Sequence, residues 1–257
     1  MSRSLSGRLL TVAIVFALVF YFLFLVITKI PATLFTANLV RFVPQLQLAV
    51  ISGTAWNGQA GDAVINIEGQ AIRLGQLKWH FKPAALFVLK ACVELESEVV
   101  SGGFCRSLVG ANYLNKVQLD LPASLANRIT TEAQFAGQAS LNIAEAVVSD
   151  KGMVSKLAGN LTWKSATISV EGSSFALGDF AADLSAADNG AIAASIFDLS
   201  GPFGIKLDAL VGAATPPSVN GEITPRDNAP EEILDVLGLV AVPQDNGAFK
   251  VVYPMGS

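Results

Sequence analysis

The chain has one histidine, His80, set between Trp79 and Phe81 where apolar and polar residues alternate. An imidazole can serve as a general base or a metal ligand, but a lone one cannot build a His-rich zinc set. On the polar side of a strand it reads as a solvated or hydrogen-bonded residue. Glu94, Glu96 and Glu98 follow at spacing two, which on a strand turns all three carboxylates one way. Such a row either holds a hard cation such as calcium or faces water. Asp179, Asp183 and Asp188 lack calcium-loop spacing. No G-x-S-x-G, P-loop or G-x-G-x-x-G occurs. These residues give no catalytic constellation, metal set or cofactor cradle, so the expectation is a non-enzymatic protein without a cofactor.

Cys92 and Cys105 are the two cysteines. An even pair in an exported chain favours a disulfide, which for a loop of this size stabilises by about 3 kcal/mol in the chain-entropy model. Two buried free thiols are the alternative. A redox site would use C-x-x-C or an electropositive setting, and the glutamates at 94, 96 and 98 have the wrong sign.

The elements that carry these residues begin with an apolar segment. Hydrophobic residues make up 52% of the 257, and charged ones 15%, against about a quarter charged in a soluble domain. Residues 9–28, LLTVAIVFALVFYFLFLVIT, contain no charge and lie between Arg8 and Lys29. As a helix rising about 1.5 Å per residue they would span the roughly 30 Å hydrocarbon core. Residues 1–8 hold Arg3 and Arg8 and no acid, so the positive-inside tendency places the N-terminus in the cytoplasm. A cleaved signal peptide would have a shorter apolar stretch and a small-x-small site; the sequence instead continues KIPATLFTAN, and an uncleaved anchor is expected. Beyond it come a connector, residues 29–52, and a periplasmic domain, residues 53–257. The net charge of −4 leaves no basic face for nucleic acid.

The exported part alternates with period two. Leu77, Trp79 and Phe81 interleave with Lys78, His80 and Lys82; Val117, Leu119 and Leu121 with Lys116, Gln118 and Asp120. Ala139, Leu141 and Ile143, and later Ile205, Leu207 and Ala209, do the same. Each strand has one apolar and one polar face. Gly102-Gly103, Asp188-Asn189-Gly190 and Ser200-Gly201-Pro202 read as turns. Residues 31–43 read as a short amphipathic helix, and 122–129 and 230–240 as further helices. Residues 215–229, with Pro216, Pro217 and Pro225, read as a loop, and 249–253 as a last strand. The motif G-x-L-x-W occurs at Gly75/Leu77/Trp79 and again 84 residues later at Gly159/Leu161/Trp163. It suggests two similar β-modules, about 53–136 and 137–215. The fold expected is mostly β, one curled antiparallel sheet forming a half-barrel or groove. Trp56, Trp79 and Trp163 then belong to the core or line an apolar groove.

The order of features resembles the general secretion pathway protein N family. A short basic N-terminus and one membrane helix precede a G-x-x-W-x-G motif, here Gly53, Trp56 and Gly58. G-x-L-x-W follows at Gly75, Leu77 and Trp79, then Pro83. The resemblance implies an inner-membrane subunit of the bacterial type II secretion system with its bulk in the periplasm. Its implied partners are other inner-membrane subunits of that system, the outer-membrane secretin and the inner-membrane lipid. The plan is also similar to AsmA-like lipid-conducting proteins, in which an apolar sheet face holds acyl chains. Here the face is expected to be filled by side chains and helices, because 229 residues beyond Thr28 suffice for a closed core.

Overall fold

The computed structural model describes residues 14–19, 21–22, 29–34, 36, 44–67, 70–128, 133–170, 172–212 and 215–254. The alternating segments form β1 (Leu46–Gly53), β2 (Asn57–Ile67), β3 (Gln70–Phe81), β4 (Lys90–Glu96), β5 (Val100–Ser107), β6 (Asn112–Pro122) and β7 (Gln134–Val148). They continue as β8 (Val154–Val170), β9 (Ser173–Ala186), β10 (Ile192–Ser200), β11 (Phe203–Gly212), β12 (Thr215–Pro225), β13 (Val242–Pro243) and β14 (Phe249–Tyr253). All 14 belong to one sheet whose order follows the chain to β12 and then runs β14, β13. Two 3-10 segments, Pro83–Val88 and Ala123–Arg128, and one helix, Glu231–Val240, complete the named elements.

This single sheet corrects the two-module reading. The expected boundary between residues 136 and 137 falls inside β7, which pairs with β8 on both sides of it and with β6 from Gln138 to Val148. The sequence echo also fails in register: Trp79 stands opposite Gly58, but Trp163 stands opposite Ala139, where the 84-residue offset would require Asn142. Bulges in both pairings shift the strands independently. The chain instead forms two compact units, residues 1–83 with 95–98, and residues 84–94 with 99–257.

In the first unit the β2–β3 hairpin holds the deepest positions. Ala60 and Ala63 are fully buried, and Leu77, opposite Ala60, is 7% exposed. In the second unit, cross-strand partners share a face, so Val100, Leu119, Leu141, Leu161, Ala182, Ile196 and Leu207 form one apolar row. Gln118, Asn142, Asn160, Asp183, Ser195 and Asp208 form a polar row on the other face. There Asn142 donates to Asn160 at 3.3 Å and Ser195 to Asp208 at 2.8 Å. The expectation that helices fill the apolar face is not met among the described residues. The helix Glu231–Val240 packs against β13 and β14, the 3-10 segment Ala123–Arg128 against β7, and Leu161 stays 38% exposed.

One turn and one loop assignment are also corrected. Gly102-Gly103 lies within β5, at a bulge where a Cβ on Gly102 would stand 2.7 Å from the Val117 Cα. Residues 215–225 are a strand despite their prolines. Pro216 and Pro217 fall where the β11–β12 register slips, and Pro225 ends the ladder, positions where a missing N–H costs little. Among the described residues no helix is long and apolar enough to cross a membrane. Most of the 9–28 segment lies outside them; residues 14–19 and 21–22 are helical and exposed. Of 31–43, residues 32–34 and 36 are helical, with Ala32 and Thr36 buried, and the Thr36 hydroxyl donates to the Ala32 carbonyl at 3.1 Å.

The β10–β11 turn is held by Arg226, whose guanidinium donates to the carbonyls of Gly201 at 2.6 Å and Phe203 at 3.1 Å and pairs with Asp198 at 2.6 Å. Asp198 also accepts the Ile205 N–H at 2.8 Å. Burial pushes the Asp198 carboxyl up, but the Arg226 hydrogen bond, the Ile205 N–H and the Arg226 charge outweigh it, and it titrates below the ordinary value. A depressed carboxyl contributes stability above its unfolded pKa, about 3.9, and loses it as pH falls through the folded value. Asp198→Asn should therefore cost about 1 kcal/mol at neutral pH, given the half-exposed partner. It should cost nothing below both pKa values, as urea unfolding at a series of pH values would read.

Candidate functional site

The G-T-A-W-N-G sequence folds into the β1–β2 turn. Gly53 adopts φ +87°, and a Cβ there would stand 2.5 Å from the Asn57 carbonyl and 2.9 Å from the Gly58 Cα. A side chain is excluded on both counts. Thr54 N–H donates to the Asn57 carbonyl at 2.8 Å, and Asn57 N–H to the Thr54 hydroxyl at 3.1 Å. Across the ladder, the Trp79 indole lies on Gly58, where any Cβ would overlap the ring. Its Nε1–H donates to the Ala55 carbonyl at 3.2 Å, and the ring is only 6% exposed. Trp56 packs on Phe81 with centroids 5.2 Å apart and planes tilted by 59°, and its carbonyl accepts the Phe81 N–H at 2.7 Å.

Gly53, Trp56, Gly58 and Trp79 thus come together in one knot. Leu77 is the buried residue one step back along the same face of β3. Gly75 (φ +68°) is farther along, with the Glu98 carboxylate 3.0 Å from where its Cβ would be. Pro83 opens the exposed 3-10 segment. The knot also holds the incoming chain: Ala55 N–H donates to the Ile30 carbonyl at 2.9 Å, and Pro31 bridges to Thr54. This tether was not readable from the motif, because Ile30 lies 25 residues before Ala55 with no periodic signal linking them.

The other candidates stay apart from it or contribute no reactive group. His80 is exposed, with Nδ1 hydrogen-bonded to the Asn57 side chain. Glu94, Glu96 and Glu98 are exposed, the first two on one side of β4 and Glu98 in the bend beyond its end, so the row of three expected on one strand does not form, and no cluster of three metal-ligating side chains occurs among the described residues. Trp163 donates to the Ala136 carbonyl at 3.0 Å and lies between Phe135 and Phe180, with centroids 5.9 and 6.0 Å away, on the apolar face of the second unit. Cys92 and Cys105 are joined in a disulfide.

Sequence reasoning passed over one surface. Leu86, Phe87, Val88 and Leu89 are exposed at the end of the 3-10 segment, as are Leu108 and Val109 in the β5–β6 turn. Its signal was the unalternating run ALFVL between Lys82 and Lys90.

These features define a one-sheet antiparallel protein whose motif residues hold backbone to backbone. The model of the type II secretion system protein N family matches residues 44–252, and the chain belongs to that family. It is a component of the type II secretion system. No curated protein and no solved structure matches it.

If the knot is structural, Gly58→Val should destabilise by about 2 kcal/mol through overpacking against the indole, and Trp79→Ala by about 3 kcal/mol or more. Their combined loss in urea unfolding should fall well short of the sum, because both remove one contact.

Proposed function

We propose that the chain is a non-enzymatic scaffold subunit, anchored in the inner membrane by residues 9–28, with residues 1–8 cytoplasmic and the sheet periplasmic. It would serve the export of folded proteins through the outer membrane. The observation that carries this reading is the family match, which runs from before β1 almost to the end of β14. The charge-free segment 9–28 and its basic N-terminal flank support the anchoring and its direction.

Contact with partners fits β-addition. β1 ends the strand order, and its eight residues, LQLAVISG, carry no charge and no proline, although Val50 interrupts the extended backbone with φ +55°. The opposite end is closed by the two-residue β13, which contains Pro243. The partners proposed are other inner-membrane subunits of the system and the secretin. Deleting the gene should leave exoproteins folded but trapped in the periplasm. The exposed-edge variant Val50→Lys should accumulate normally and still reduce secretion severalfold. Secretion unchanged by the deletion, in a host that requires the system, would defeat the reading.

One observation favours a second reading, an AsmA-like lipid-binding role: the apolar row through Leu141, Leu161 and Ile196 lies on a sheet without a covering layer among the described residues. It predicts phospholipid in the detergent-purified protein at about one per chain, lost in Leu161→Asp. Lipid-free wild-type protein would discard it.

A further inference from the structure

In the second unit, two turns carry a compact group of exposed apolar side chains. Phe87 is 91% exposed and Val109 88%, and Leu86, Val88, Leu89 and Leu108 are exposed beside them. The turns are tied together. The Leu89 carbonyl accepts the Leu108 N–H at 3.1 Å, and the Cys92–Cys105 disulfide joins the strands from which they spring. The side chains therefore stand as a fixed, protruding pair of tips.

The charge on the segments that carry the tips is positive, with one acid, Asp150, against the β5–β6 turn. Residues 84–93 hold Lys90 and no acid, and residues 99–119 hold Arg106 and Lys116 and no acid, in a chain of net charge −4. Lys90 Nζ lies 3.9 Å from the centre of the Tyr113 ring, and Arg106 donates to Asn112 at 3.4 Å, which sets both cations at the base of the tips. Asp150, which lies against Gly110, is followed at once by Lys151.

Apolar tips with a cationic collar match an anionic bilayer surface. The apolar groups enter the acyl boundary while Lys and Arg stay among the phosphates. A protruding set also needs no complementary cavity in its partner, which a rigid protein surface would have to supply. We propose that Phe87, Val109 and their neighbours dip into the headgroup region of an anionic membrane, giving the domain a second attachment besides residues 9–28. The proposal rests on the anchored reading for its bilayer. Ile30, two residues beyond the apolar segment, is already bonded into the fold. A slack of about 7 Å at most thus separates the bilayer from the fold of the first unit.

The test uses the full chain reconstituted in phosphatidylglycerol vesicles containing brominated lipid, with tryptophan reporters Phe87→Trp and Val109→Trp. Leu199→Trp, exposed on β10 of the same unit, is the control. The added emission of both tip reporters should be quenched about twofold or more, and that of the control should not be. Phosphatidylcholine vesicles, or the pair Lys90→Glu/Arg106→Glu, should weaken the quenching. Tip reporters indifferent to brominated lipid in a chain that co-floats with vesicles would overturn the proposal while leaving the anchor intact, and secretion lost in Phe87→Asp would then assign the patch to a protein. Quenched tips in a chain whose Phe87→Asp/Val109→Asp variant no longer co-floats would uphold the tips and reject the anchor.

Discussion

Backbone pairing between consecutive strands is the constraint on which this protein depends. Each strand from β1 to β12 that follows another lies beside it in the sheet, so nearly all pairing is between neighbours in sequence. The deepest positions are small: Ala60, Ala63, Ala166 and Ala191. A sheet whose tightest positions are alanines cannot rely on a jigsaw of large side chains alone for its uniqueness. Its register must be set locally, where strands reverse or bulge. That is where the specific interactions gather. Trp79 covers Gly58 at the β1–β2 turn, the disulfide joins β4 and β5, and Arg226 binds both sides of the β10–β11 turn.

The same constraint explains what could be read from the residues. Period-two alternation follows from the pleat, so Leu77/Trp79/Phe81 and Val117/Leu119/Leu121 showed both strand and face directly. Turns with a local chemical cause, such as Asp188-Asn189-Gly190, were equally plain. Glycine and proline misled where the sheet used them for bulges. Gly102 and Pro216 both sit at register slips, which depend on the partner strand. The internal echo misled for a related reason: identical G-x-L-x-W residues fix a strand and its faces, but the bulges of β2–β3 and β7–β8 fix what each tryptophan opposes.

For the candidate site, the motif was legible and its work was not. Spacing identified Gly53, Trp56, Gly58 and Trp79, yet types and spacing cannot say that an indole lies on a glycine or that the turn holds Ile30. The exposed tips left a trace in the run ALFVL, but an apolar run alone reads as core. Only its placement in a 3-10 segment outside the ladder puts it in solvent.

The knot bears on function through its position in the chain. Under the anchored reading proposed above, a pull on residues 9–28 would reach the sheet through Lys29 and Ile30, and Ile30 is bonded to the turn that Trp79 pins. A turn free to open would let the sheet swing on its tether, and any partner pairing with β1, whose last residue is Gly53 of that same turn, would meet a moving edge. Pinning the turn fixes the tether and the edge together. A glycine that admits the ring and a tryptophan that fills the space are thus required as a pair if this turn is to stay closed.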